Sequence, residues 1–153
     1  MKLLNDLNFF KWILINSLVT FALAYVSVYH NFINYLLQID HTYICFAMMG
    51  LYYIISLWIG ALVISRNPDS ESFKKINFLA NAMMGLGIIA TVFGGMSVYS
   101  SFNDPALLTN IPELLRHVAL GFSAAQYGTV FGLSGFLLIR TQMIFCIGGM
   151  EDV

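Results

Sequence analysis

The chain is 153 residues long, the size of one domain. Hydrophobic residues make up 59% of it and charged ones 10%. A soluble domain carries about 25% charged residues, so this composition excludes a fully water-facing surface and points to a bilayer. A net charge of −1 gives no reason to expect nucleic acid.

A helix needs about 20 apolar residues to cross a hydrocarbon core. Four stretches qualify, and none carries Asp, Glu, Lys or Arg near its middle. The first spans residues 9–29. Lys2, Lys11 and the Ala22-Leu23-Ala24 near its end resemble parts of a cleavable leader. Its apolar run exceeds the roughly 7–15 residues of a signal core, so a retained helix is expected. Residues 30–42 read as a loop, in which His30, Asp40 and His41 lack helix spacing for metal ligands. The second span covers 43–65. Phe21, Tyr25, Tyr29, Tyr52, Tyr53 and Trp58 in these two spans suit lipid-facing or interfacial positions. Cys45 and Cys146 lie in apolar sequence without metal-site spacing and read as small buried hydrophobes, not a disulfide.

The polar stretch RNPDSESFKKIN reads as a turn and no separate domain. The third span, 78–102, contains GLGIIATVFGG, with four glycines although glycine weakens a helix by roughly 1 kcal/mol against alanine in water. Gly87, Ala90 and Gly94 keep one face of that helix small. Two helix starts follow: Asp104-Pro105, and Asn110 with Pro112 and Glu113. A short interfacial helix is therefore expected before the fourth span, 114–139. Glu113, Arg116 and His117 stand at i, i+3 and i+4 and read as a solvated interfacial cluster, with a gating or proton-entry role for His117 as the alternative. Gly121, Ala125, Gly128, Gly132 and Gly135 draw a small-residue stripe along the fourth span. In lipid, helices associate by close backbone packing, so the third and fourth spans are expected to pair. Gln126 is the strongly polar side chain in the middle of the fourth span. It could bond across subunits or within its own bundle.

Lys2, Lys11, Arg66, Lys74, Lys75 and Arg140 fall on one side of this four-span topology and Arg116 on the other. The positive-inside rule then makes both termini cytoplasmic. No nucleophile with a base beside it and no phosphate loop stands out, so an enzyme is not expected.

ANAMMGLGIIATVFGG, Asn103-Asp104-Pro105 and GFSAAQYGTVFG resemble the MotA/TolQ/ExbB family of ion-channel subunits. The first looks like that family's third-helix pattern, roughly A-D-A-A-P-x-L-G-x-x-G-T-x-x-G. The last resembles the stator pattern G-x-A-V-A-L-x-T-T-x-Y-G. The motifs cover about the last 60 residues, and topology alone covers the whole chain. The family proline falls at Met84, one glycine at Ala90, the first paired threonine at Gly128 and the tyrosine at Phe131. The large cytoplasmic domain that grips a flagellar rotor has no counterpart here.

The resemblance implies an all-α membrane protein of four transmembrane helices, assembling as a homopentamer around a central pore in the bacterial cytoplasmic membrane. The pore would receive single-span partner chains whose membrane aspartate carries H+ or Na+, with no other cofactor. Thr91 and Thr129 match the family's pore-facing threonines, and Gly87, Gly94, Ala125 and Gly128 would line the pore beside them. Without the resemblance, a threonine hydroxyl in a membrane helix commonly bonds to its own backbone. Two rivals follow from the same stripes: a non-conducting membrane scaffold, and a holin-like pore-former that needs no acidic partner.

Overall fold

The computed structural model describes residues 2–40, 42–65 and 70–147, with side chains from Leu7 onward. The described residues are almost entirely helical and contain no strand. Helix α1 is Lys2–His30, α2 is Phe32–Ile39, α3 is Ile44–Ser65, α4 is Ser70–Phe102, α5 is Pro105–Leu108 and α6 is Ile111–Gln142. A π-helical turn, Met143–Ile147, continues α6. Four segments are long and apolar enough to cross a membrane: Leu7–His30, Ile44–Ser65, Ser70–Phe102 and Ile111–Ile147. This is the signature of an integral membrane protein. The large side chains on the outside agree, since Leu18, Phe21 and Val28 on α1 stand largely exposed, an arrangement that water would penalise and lipid favours.

Neighbouring spans alternate in direction. Trp12 meets Ser56 and Gly60 while Thr20 meets Tyr53, so α1 and α3 are antiparallel. Gly87 meets Gly132 while Gly94 meets Gly121, so α4 and α6 are antiparallel too. One end of the bundle thus carries α2, α5 and the starts of α3 and α6. The opposite end carries the last turn of α3 and the first turn of α4.

Local chemistry explains the ends. Asp104 caps α5 by accepting from the Ala106 amide at 2.9 Å, with Pro105 as first helical residue. Asn110 caps α6 by accepting from the Glu113 amide at 3.4 Å. The expected interfacial helix is therefore the single turn α5, and the second start signal opens the fourth span itself. Two further differences from the sequence reading appear. Residues 32–39, read as loop, form α2, whose Leu36 and Ile39 are buried. It enters through Asn31 in the left-handed region at φ 48°, which asparagine tolerates. The stretch read as a turn becomes helical from Ser70, where Lys75 and Glu71 pair at 2.6 Å one turn apart. Residues 66–69 of that stretch lie outside the described residues.

Tyr52 is a correction. It was read as lipid-facing or interfacial, and it is buried. Its hydroxyl accepts from Gln142 Nε2 at 2.9 Å and donates to Asn16 Oδ1 at 3.3 Å. Ser56 Oγ completes the network, 2.7 Å from Asn16 Oδ1 and 2.9 Å from Gln142 Oε1. Trp12 Nε1 donates to the Ser56 carbonyl at 2.8 Å. Gly60 makes that approach possible, because a Cβ there would stand 2.6 Å from the indole. Three helices that lipid would not otherwise drive together are fixed in register by these polar groups.

Candidate functional site

The most extensive contact in the chain is between α4 and α6. Small residues make it possible. A Cβ on Gly94 would lie 2.5 Å from the Ala125 amide nitrogen and 2.7 Å from the Gly121 carbonyl oxygen. A Cβ on Gly87 would lie 2.9 Å from both the Gly128 oxygen and Gly132 Cα. The two backbones are thus in direct contact, with Ala90, Gly128, Gly132 and Gly135 extending the seam. Gly85 and Gly95 are different, because nothing lies within 4 Å of the Cβ each lacks. Two of the four glycines in GLGIIATVFGG therefore serve the seam and two do not.

Thr91 and Thr129 meet across one flank of this seam, with their hydroxyl oxygens 2.7 Å apart. Thr91 is half-buried and Thr129 exposed. The opposite flank packs on α2 and α3: Tyr127 and Phe131 of α6 stack near Phe32, and Leu79 and Leu86 of α4 join the core. Among the described residues, the hydroxyls of the threonine flank bond only to each other and to the Gly87 and Ala125 carbonyls, and none of these partners lies on α1, α2 or α3. Gly95, one turn beyond Thr91, leaves open space beside the pair.

The protons of this pair can be counted. Each hydroxyl has one proton and two lone pairs. Thr91 Oγ1 lies 2.8 Å from the Gly87 carbonyl and 3.3 Å from that of Ala125, while Thr129 Oγ1 lies 3.1 Å from the Ala125 carbonyl. One threonine can donate to the other, and the second then donates to a carbonyl. Both protons are consumed in either arrangement. The threonine at the head of the chain keeps an oxygen with both lone pairs free. That oxygen can accept from a proton donor or ligate a small cation.

Gly87, Gly94 and Gly128 are buried in the seam, with Gly94 also bordering a cavity beside α4, so their visible contribution is close packing. Ala125 is half-buried, and its carbonyl receives the threonine bonds. Gln126 is exposed on α6 and makes no side-chain hydrogen bond among the described residues. Glu113 binds Arg116 through Nε at 3.2 Å and an η nitrogen at 2.7 Å, and His117 Nε2 lies 3.3 Å away. Asp40 is buried and bridges to the start of α3, accepting from Thr42 Oγ1 at 2.6 Å and the Cys45 amide at 2.7 Å. Burial pushes its carboxyl up, but those bonds outweigh burial and hold it below its ordinary range. His30 is exposed, and His41 lies outside the described residues. Cys45 and Cys146 are both free and buried. Among the described residues no group of three or more His, Cys, Asp or Glu could hold a metal ion.

Sequence reasoning missed the network of Asn16, Tyr52, Ser56 and Gln142, because isolated polar residues on separate helices carry no shared spacing. It also missed an open cavity of about 620 Å³ lined by Asp40, Ser97, Arg116 and His117, among others. No protein-family model, curated protein or solved structure matches this chain.

Proposed function

We propose that the chain is an ion-channel subunit of the MotA/TolQ/ExbB type, forming a homopentamer whose central axis is faced by the threonine flank of α4 and α6. The observation that carries this reading is the hydroxyl pair at 2.7 Å, which among the described residues has no hydrogen-bond partner on α1, α2 or α3. The spans have no charged group near their middle, so a carboxylate that carries the ion must come from elsewhere. A charge in the bilayer centre costs at least about 2.5 kcal/mol on insertion scales; a free lone pair offsets part of that cost for a cation and accepts from the carboxyl in its protonated form. The partner is a single-span membrane chain bearing an aspartate, which enters beside Gly95 and meets Thr91 and Thr129. Its carboxylic acid, when protonated, donates to the free threonine oxygen. H+ or Na+ would move down its gradient through this site. The lining role belongs to Thr91, Thr129 and the Ala125 carbonyl, with Gly87, Gly94 and Gly128 holding the two helices close enough for the hydroxyls to meet.

By the positive-inside rule the termini face the cytoplasm of a bacterial inner membrane. Gln126, exposed and without a side-chain hydrogen bond among the described residues, would bond to a neighbouring subunit.

A second reading has its own support. Each threonine lies within bonding distance of its own helix carbonyl, which is the ordinary fate of a membrane threonine. On that reading the chain is a non-conducting scaffold. Particle images of the assembly purified from membranes separate the readings. The channel requires five copies about an axis with both hydroxyls inward. A monomer or dimer, or hydroxyls turned to lipid, refutes it. A ring that permeabilises vesicles with no partner present indicates a holin-like pore instead.

A further inference from the structure

We propose that the cavity between α2, α4 and α6 is a water-filled vestibule that brings a small monovalent cation from the α5 end of the bundle to the middle of the bilayer. Its 620 Å³ has room for on the order of twenty waters at ~30 Å³ each. Its mouth is polar: Gln38, Thr42 and Arg116 are exposed there, with Asp40 and His117 beside them. Ser97 lines one wall, and Ala90, Gly94, Gly121 and Ala124 lie deepest. From Ser97 to Ala90, and from His117 to Ala124, is two helical turns, about 10 Å at ~1.5 Å per residue. Half of a hydrocarbon core is about 15 Å, so the floor lies deep in the bilayer, next in sequence to Thr91. The small-residue seam of Ala90, Gly94, Gly121 and Ala125 separates that floor from the threonine flank.

Charge favours a cation as guest. The Arg116 guanidinium is neutralised by Glu113 at 2.7 Å. Asp40 accepts only from neutral groups among the described residues, the Thr42 hydroxyl and the Cys45 amide. Among the described residues Asp40 is thus the charge in the wall without an oppositely charged partner, and a recess between low-dielectric walls concentrates counter-ions. A lipid tail is the competing occupant, but it would set Asp40 and Ser97 against hydrocarbon, where polar groups lose their water without return.

The transport role rests on the channel reading above, whereas entry of water does not. Ala124→Cys and Ser97→Cys, made separately in the full chain in sealed membrane vesicles, test it. A charged, membrane-impermeant methanethiosulfonate is applied to each face, and Asn103→Cys marks the face on which α5 lies. The unsubstituted chain, with Cys45 and Cys146 buried, supplies the blank. Both new cysteines should label to completion from the α5 face. If both folded variants label only with a membrane-permeable maleimide, the pattern of a lipid-filled groove, or with neither reagent, the vestibule is refuted. Labelling without any ion flow would refute the channel and leave the vestibule standing.

Discussion

Gly94 and Gly95 are adjacent on α4, yet the structure assigns them opposite responses to the same methyl group. A Cβ on Gly94 would sit 2.5 Å from the Ala125 nitrogen, where ordinary contact begins at 3.4 Å. The obstacle is backbone, and backbone cannot rotate away as a side chain can. The helices must separate by about 0.9 Å, the shortfall between those two distances. Overpacking of this kind costs about 1–3 kcal/mol, against about 1 kcal/mol gained in helix propensity. Gly94→Ala should therefore destabilise on balance, by up to about 2 kcal/mol, or roughly thirtyfold in the folded-to-unfolded ratio. Gly95→Ala meets nothing within 4 Å and keeps the propensity gain with no opposing clash. Unfolding of the purified protein by titration with SDS in mixed micelles, followed by tryptophan fluorescence, gives both values on one scale. Equal stability for the two alanine variants would refute the seam, whatever the channel does.

Gln142→Leu should cost between about 0.6 kcal/mol, the average for hydrogen bonds between membrane helices, and their maximum of about 1.7 kcal/mol, because it removes a donor to Tyr52 and an acceptor for Ser56; the same SDS titration reads it. Tyr52→Phe in that background should then cost less than in the unsubstituted chain, as their shared bond is already gone. Asp40 supplies a pH dependence. Its folded pKa is depressed, so its stabilisation is present above the unfolded value of about 4 and is lost as pH falls through the folded value. The stability difference between the unsubstituted chain and Asp40→Asn should accordingly be constant from neutral pH to about pH 5 and shrink below about pH 4. A difference that is flat down to the acid limit would remove the carboxylate from its assigned role at the start of α3.

The four spans and the α4–α6 pairing were legible in the sequence because each rests on local information. A run of apolar residues is a property of one segment, and the 4, 3, 4, 3 spacing of Gly121 to Gly135 marks one face of one helix. The caps at Asp104 and Asn110 were legible for the same reason. Helix α2 was not read, although Phe32, Leu36 and Ile39 stand at i, i+4 and i+7, because eight residues between two spans look like a connection. The first turns of α4 were hidden by polarity, and the Glu71–Lys75 pair was their one signal. Tyr52 was placed in lipid because tyrosine usually borders the membrane, and the partner that buries it lies 90 residues away. The cavity was beyond reach altogether, since its lining comes chiefly from α2, α4 and α6, and no residue pattern in one segment encodes a gap between three.

The threonine pair separates a structural hydroxyl from a functional one. Thr91→Ser and Thr129→Ser keep one proton and two lone pairs at each position, while valine keeps the shape and removes both. If the hydroxyls only bond to carbonyls of their own helices, removing one leaves a carbonyl that is still engaged in the helix ladder, and ion flow is unaffected. If the free oxygen receives the partner's acid or the ion itself, valine removes that ligand in the step that carries charge past the threonine flank. A hydrogen bond between membrane helices is worth about 0.6 kcal/mol on average and about 1.7 kcal/mol at most, which converts to a loss of about three- to fifteenfold in flux at ~1.4 kcal/mol per factor of ten. Valine at either position should produce that loss and serine should restore most of it, with the assembly unchanged in size. The double valine variant should lose little more than the single ones, because each single change already breaks the shared bond at 2.7 Å that joins the two hydroxyls into one site. Proton or sodium flux into vesicles containing the assembly with its partner is the measurement. Losses that multiply across the two sites would show that the hydroxyls act apart, and equal flux in valine and serine variants would show that neither meets the ion.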